Sequence, residues 1–129
     1  MDTPVYQGKD SCMFKREGIY VRRIQGPGVD TIREALALAY MILRDYRRGY
    51  TYDNDSCRKI KMTGELFKKR IKYIYTLSIK HGATAKEQEV IKRIVNYVLK
   101  HRRMPKEVTL PDGRKLNVKS VIKRMVVKT

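Results

Sequence analysis

The stretch RKIKMTGELFKKRIKYIYTLSIK, residues 58–80, shows two patterns on one helical cylinder. At 100° per residue, one arc is apolar and a flanking arc is basic. The apolar arc contains Ile60, Phe67, Ile71, Ile74 and Ser78, and the basic arc contains Arg58, Lys61, Lys68, Lys69, Lys72 and Lys80. The stretch therefore predicts a helix that packs one face on a core and presents a basic stripe to an anionic partner. A solvated lysine face is the simpler interpretation for a single helix, and the rest of the chain decides between the two.

Gly64 is the weak point of this predicted helix. The helix begins either directly after the polar segment 50–55 or afresh at Gly64, because glycine costs ~1 kcal/mol inside a helix. If it begins at Gly64, Arg58 and Lys61 leave the stripe. Only the portion over residues 68–80 then stays aligned.

The charge balance of the whole chain favours an anionic partner. Thirty Lys and Arg residues stand against 13 Asp and Glu in a chain of 129 residues, for a formal net charge of +17. Such self-repulsion opposes a compact state and is relieved when a polyanion neutralises it. The basic residues recur from Lys9 to Lys128, so they do not form a separate tail. Nucleic acid is the first partner class predicted, and an anionic membrane surface is the second.

Other functional classes find little support in the composition. Two cysteines, Cys12 and Cys57, are too few for a disulfide framework or a four-ligand metal site, so no metal or cofactor is expected. One bridge between them is possible, but two unpaired thiols are expected unless the source is a hyperthermophile.

The longest apolar run, residues 35–43, is shorter than the ~20 residues that cross a bilayer, and no signal peptide is visible.

The chain is predicted to be mainly α, a bundle of about four helices. Residues 1–29 are punctuated by glycine and proline and predict an extended basic N-terminal arm, and residues 30–129 form the helical domain. A small β-hairpin at about 107–117 is predicted from its Pro-Asp-Gly turn. The expected helix caps, in chain order, are Asp30 or Thr31 (Thr31 in a capping box with Glu34), Thr84 with Glu87, and Asn117.

No constellation of residues suggests an enzyme. His81 and His101 lie at predicted helix ends, where a surface histidine interacts favourably with the helix dipole. Basic residues instead alternate with aromatic ones over 46–52, which includes Arg47 and Arg48, and over 68–75. Lysine and arginine neutralise phosphates, whereas reading base edges needs side chains such as Asn and Gln, which are scarce here. The sequence therefore predicts binding to the nucleic-acid backbone without sequence preference. A charge of +17 balances the phosphates of roughly eight base pairs per subunit.

A short, very basic, mostly helical chain with a cationic arm and about four helices resembles the major coat proteins of filamentous archaeal viruses, of the rudivirus, lipothrixvirus and tristromavirus type. In that family the arm and a basic helix wrap linear double-stranded DNA, held in A-form, and the bundles pack into a tube. The resemblance implies a nucleocapsid protein of the virion, assembled in the host cytoplasm. Its partners would be double-stranded DNA and a second coat subunit, identical or paralogous, with envelope contact possible. The implied arm contacts are Lys15, Arg16, Arg22 and Arg23, and the stretch 58–80 would face the DNA.

A winged-helix transcriptional regulator is the alternative hypothesis. Three helices followed by a hairpin match its topology, with Gly82 in the tight turn and residues 84–100 as the recognition helix. Against it, that helix is strongly apolar. Glu87 and Glu89 also lie near its N-terminus, where DNA contacts would be made.

Overall fold

The structure is a computed structural model that describes residues 8–22 and 29–129. Within these ranges the chain forms helices joined by short strands, which confirms the mainly helical prediction. The helices are α1 (Cys12–Glu17), α2 (Val29–Arg48), α3 (Gly64–Lys80), α4 (Ala85–His101) and α5 (Val118–Met125). The strands are β1 (Ile19–Val21), β2 (Tyr50–Tyr52), β3 (Lys59–Lys61), β4 (Glu107–Thr109), β5 (Lys115–Asn117) and β6 (Val126–Lys128).

Helix α2 is the centre of the bundle and contacts α3, α4 and α5. Its segment 35–39 is buried all round, as the run Ala-Leu-Ala-Leu-Ala predicts for a helix that is apolar on every side. The small alanine side chains allow neighbouring helices to approach closely. The helix ends before Gly49, whose φ of +89° is a left-handed conformation that glycine adopts without strain.

Helices α3 and α4 complete the main layer of the bundle. Helix α3 buries Phe67, Ile71 and Ile74, and α4 buries a similar row of valines and isoleucines. The predicted capping box of α4 is confirmed. Thr84 accepts a hydrogen bond from the backbone N–H of Glu87, and the Glu87 carboxylate accepts one from the Thr84 N–H at 2.7 Å.

The strands form three antiparallel pairs, β1–β6, β2–β3 and β4–β5. The β4–β5 pair is the predicted hairpin, with Gly113 at a φ of +89° in its turn. Asn117 caps α5 as predicted, because its side chain accepts from the Ser120 N–H at 2.9 Å. The β1–β6 pair joins the two ends of the described chain, with Ile19 opposite Lys128.

The extended arm predicted over residues 1–29 is not supported. Residues 8–22 fold onto the domain as α1 and β1, because their apolar side chains, such as Met13 and Val21, enter the core. Ser11 caps α1 and Gly18 ends it, at a φ of +68°. Residues 1–7 and 23–28 of the predicted arm lie outside the described residues.

The expectation of two unpaired thiols is wrong. Cys12 and Cys57 form a disulfide, with Cα atoms 5.2 Å apart, within the range that this bond allows. The bridge forms because α1 packs beside the β2–β3 hairpin, a proximity between segments that are distant in the sequence.

The predicted cap at the start of α2 is also wrong. The helix begins at Val29, so neither Asp30 nor Thr31 precedes it, and Thr31 and Glu34 lie inside its first turns. Both are buried, and the Glu34 carboxylate lies 3.7 Å from Nδ1 of His81. The two residues therefore contribute to packing between helices instead of capping.

Candidate nucleic-acid interface

The stretch 58–80 is divided at Gly64 between a strand and a helix. Thr63 caps α3 by accepting a hydrogen bond from the Leu66 N–H at 3.1 Å, so the helix starts at Gly64. Arg58 and Lys61 therefore leave the predicted stripe. They belong to the hairpin that β2 and β3 form.

The helical part of the stretch presents the predicted lysine face. Lys68, Lys69, Lys72 and Lys80 are all exposed. From the first to the last they span about 18 Å of helix axis, at 1.5 Å per residue. Lys80 donates to the Tyr73 hydroxyl at 3.0 Å, whereas the other three make no hydrogen bond or ion pair with any residue in the described part of the chain. Their ammonium groups are available to an anion.

Arg70 lies in the same basic run but points into the protein. Its side chain is 2% exposed, and its guanidinium donates to the Thr51 hydroxyl at 2.7 Å and to the Tyr52 carbonyl at 2.9 Å. Both acceptors lie on β2. Arg70 therefore anchors α3 to the hairpin while its lysine neighbours face solvent.

A buried carboxylate holds the other side of β2. The Thr51 hydroxyl donates to Asp45 at 2.8 Å, and the guanidinium groups of Arg44 and Arg48 lie 3.2 and 3.1 Å from the same carboxylate. Burial is the largest influence on Asp45 and raises its pKa, and the Thr51 hydrogen bond and the two arginines offset it only in part. This network fixes the end of α2 against the hairpin.

Glu17, the last residue of α1, joins the network from the N-terminal side. Its carboxylate accepts from Arg48 at 2.9 Å and from the Tyr52 hydroxyl at 2.7 Å. Burial acts to raise the pKa of Glu17, but the hydrogen bonds from Arg48 and Tyr52 and the charges of Arg48 and Arg44 outweigh it, and the pKa is lowered. The N-terminal segment is thus locked onto the hairpin by charge as well as by the disulfide.

The outer face of the hairpin carries aromatic rings beside cations. Tyr50 pairs with Lys61 and Tyr52 with Lys59, and alternation along a strand places these four side chains on one face. The guanidinium of Arg48 and the ammonium of Lys59 each lie 4.0 Å from the centre of the Tyr50 ring, in cation–π range. We call Arg16, Arg48, Tyr50, Tyr52 and Lys59 the hairpin cluster.

Arg16 completes the cluster from α1. It donates to the Cys57 carbonyl at 2.8 Å, and its guanidinium lies 5.9 Å from the centre of the Tyr52 ring. Lys59 was not among the predicted site residues. The period-two alternation of Tyr-Thr-Tyr at 50–52 and Lys-Ile-Lys at 59–61 is the signal that would have revealed the hairpin and this residue.

Comparison of the chain with protein-family models, curated proteins and solved structures finds no match. The resemblance to viral coat proteins therefore remains a prediction. No helix in the described ranges is long and apolar enough to cross a membrane. Residues 8–22 and 29–129 also contain no group of three His, Cys, Asp or Glu residues arranged to hold a metal ion.

The remaining predicted contacts are spread over other surfaces. Lys15 is exposed on α1, and Arg22 follows β1 and lines a small cleft with Arg124. Arg47 is exposed at the end of α2 and donates to the Arg102 carbonyl at 3.3 Å. Arg23 lies outside the described residues. Of the twelve predicted contacts, the fold thus brings Arg16, Arg48, Arg58 and Lys61 to the hairpin and keeps four lysines together on α3.

Proposed function

We propose that the protein binds linear double-stranded DNA through the phosphate backbone, without sequence preference, and coats it as a structural protein. The observation that carries the proposal is the exposed lysine face of α3, formed by Lys68, Lys69, Lys72 and Lys80. Opposite this face, Phe67 is buried in the core, so the lysines project from a fixed helix. A row of cations on a rigid element is suited to a regularly spaced row of phosphates.

Apart from Glu65 in the first turn of α3, many carboxylates of the described residues are engaged away from these lysines. Glu17 and Asp45 pair with arginines in the buried network, and Glu87 closes the cap of α4. Asp112 and Glu107 pair within the β4–β5 hairpin. The positive charge is therefore concentrated on the surface, where it favours a polyanion.

The hairpin cluster supplies a second set of cations, on the segment that precedes α3. Lys59 and Lys61 on β3 lead directly into the helix, and both are exposed. The tyrosines of the cluster are half-buried between cations, an environment that favours packing against sugar and phosphate. The lysines of α3 hold phosphates as point charges and read no bases, which supports binding without sequence preference.

The salt dependence of binding tests the role of the α3 face. The variant Lys68→Ala/Lys69→Ala/Lys72→Ala should bind duplex DNA more weakly, and its plot of log K against log salt should be shallower by about 2.7 if each lysine contributes about 0.9. The matched control is Lys86→Ala/Lys92→Ala/Lys100→Ala, which removes the same charge from the exposed side of α4. Equal losses in both variants would refute a specific role for α3.

Coating is tested separately by electron microscopy of the protein mixed with linear DNA. Regular filaments whose length matches that of the DNA would support the proposal. They would agree with the resemblance to nucleocapsid proteins, in which a subunit pairs with itself or a paralogue inside a virion. Binding without filaments would overturn the coating role and leave backbone binding in place.

A DNA-binding regulator is the second candidate, because the structure removes one objection to it. The apolar residues of α4, such as Ile91 and Ile94, are buried, and its exposed side carries Lys86, Lys92 and Lys100. A footprint confined to one operator, lost in the α4 variant and retained in the α3 variant, would favour this function. Binding of similar strength to unrelated sequences would count against it.

A further inference from the structure

A broad groove lies on a part of the molecule that the α3 face and the hairpin cluster do not include. It is an open depression of about 810 Å³ where the end of α2, the segment after α4 and the start of α5 meet. Its apolar lining comes from Tyr40, Met104, Pro105 and Ile122, which are partly exposed. A volume of this size is typical of a binding site.

Every charged side chain that lines the groove is a cation. These residues are Arg47, Arg103, Lys106, Lys119 and Lys123. All five are exposed, and none forms an ion pair with a carboxylate in the part of the chain that the structure describes. The cations come from three separate elements, so positive charge surrounds an apolar surface.

This combination restricts what can occupy the groove. An uncharged apolar ligand would remove water from five cations without replacing it, which is unfavourable. A small anion such as phosphate would leave the apolar lining unused, and a duplex offers no apolar side to bury there. A fatty acid or lipid has one headgroup, whereas the cations are distributed over three elements. The fitting occupant has a row of apolar side chains flanked by several carboxylates.

An acidic amphipathic helix has these properties. Apolar residues at i, i+3, i+4 and i+7 form one stripe that a groove accepts, and glutamates on its flanks repeat at a spacing of one turn. Lys119 and Lys123 are also one turn apart, about 6 Å along α5. The spacing of the cations therefore matches that of carboxylates on a docked helix.

A second copy of this chain does not supply such a helix. Among the described helices, Glu87 and Glu89 are the acidic pair on α4, but the first is buried in its cap and the second lies 4.0 Å from Arg93. Helix α2 buries Glu34 and Asp45, α3 carries only Glu65, and α5 carries no acidic residue. The described helices therefore show no row of exposed carboxylates beside an apolar stripe, which favours another protein as the source of the occupant.

We propose that this groove is a docking site for an acidic amphipathic helix of a partner protein. The apolar stripe of the partner packs on Tyr40, Met104 and Ile122, and its carboxylates pair with the surrounding cations. The proposal does not depend on DNA binding by α3, since the two surfaces share no residue.

The first test uses a synthetic peptide as the probe. A labelled helical peptide of about 15 residues, with a leucine stripe flanked by glutamates, is titrated with the full-length protein and followed by fluorescence anisotropy at about 150 mM salt. Saturable binding is expected, and a peptide of the same composition with scrambled leucine positions should bind at least about tenfold more weakly. Equal binding of the two peptides would reduce the interaction to charge attraction and overturn the proposal.

Matched variants then locate the binding surface. Lys119→Glu/Lys123→Glu should weaken peptide binding at least about tenfold, whereas Lys86→Glu/Lys92→Glu, with the same charge change on α4, should alter it less than about twofold. Met104→Ser tests the apolar lining and should also weaken binding, with circular dichroism used to check that each variant is folded. Equal effects of the two charge variants would refute the site. So would groove-dependent binding of an oligothymidylate or of phosphatidylglycerol vesicles in place of the peptide.

Discussion

Removing the bridge between Cys12 and Cys57 should destabilise the protein while leaving its fold intact. The bridge joins α1 to the β2–β3 hairpin across a sequence separation of 45 residues. It is not the only contact between them, because Glu17 accepts hydrogen bonds from Arg48 and Tyr52. The reduced chain should therefore keep α1 in place and lose mainly the constraint that the bridge imposes on the unfolded state.

The size of the loss follows from the length of the closed loop. For a loop of 45 residues, loop-closure entropy is about 13 cal/mol/K, which corresponds to about 4 kcal/mol at 25 °C. Domains of this size have unfolding free energies of about 5–15 kcal/mol. Loss of the bridge should therefore remove a large fraction of the stability.

Urea denaturation with and without a thiol reductant measures this difference. The oxidised protein should unfold at higher urea, and thiol titration of the denatured, unreduced chain should find no free cysteine. The variant Cys12→Ser/Cys57→Ser should behave like the reduced protein and be insensitive to the reductant. Two titratable thiols, or a reductant effect below about 0.5 kcal/mol, would refute the reasoning, because the loop-closure model assigns about 4 kcal/mol to a loop of this length.

Three further perturbations test the contacts that position the candidate interface. Because the pKa of Glu17 lies below its ordinary value of 4.5, its ionised form stabilises the fold above that pH, and the contribution is lost as the pH falls through the folded pKa. On acidification below pH 4.5, the wild type should therefore lose more unfolding free energy than Glu17→Gln. Thr84→Ala should cost about 1 kcal/mol in urea denaturation by removing the cap of α4, and Thr84→Ser, which keeps the hydroxyl, should cost little. Arg70→Met should cost about 2 kcal/mol, because it leaves the buried Thr51 hydroxyl and the Tyr52 carbonyl without this donor, whereas the neighbouring Lys69→Met should be nearly neutral in thermal unfolding.

The parts of the fold that local patterns determine could be predicted from the sequence. The helical period located α3 and α4, and Thr84 and Asn117 were predicted as the caps that begin α4 and α5. The Pro-Asp-Gly turn located the β4–β5 hairpin. In each case the residues that decide the structure lie within a few positions of one another.

The contacts that could not be predicted join distant segments. Ile19 pairs with Lys128, and Cys12 bonds to Cys57, and neither pairing leaves a mark on the local pattern. Helix α1 has only six residues, too few for an apolar period to be evident. Its flanking Ser11 and Gly18, which cap it, are the local signals that could have revealed a short helix within the predicted arm.

In the candidate interface, a single run of three basic residues also combines what a local pattern shows with what depends on a distant segment. Lys68 and Lys69 are exposed, and Arg70 is buried. A count of charges cannot separate them, but the helical period can, because at 100° per residue it places Arg70 next to Ile74, at the edge of the apolar arc. What the period does not show is that Thr51 and Tyr52, on a distant strand, supply the acceptors that make this burial tolerable.

The separation of buried cations, which have acceptors, from exposed ones also explains how a chain of net charge +17 forms a compact domain. The cations that lie inside, such as Arg70, have acceptors on β2, and those at the boundary, such as Arg48, share the carboxylates of Glu17 and Asp45. Because the interior uses these carboxylates, few remain to neutralise the outer lysines. Their mutual repulsion is lowered by solvent and salt, and more strongly by a bound polyanion. Ligand binding and fold stability should therefore be coupled, so that duplex DNA raises the melting temperature most at low salt, where the repulsion that it relieves is greatest.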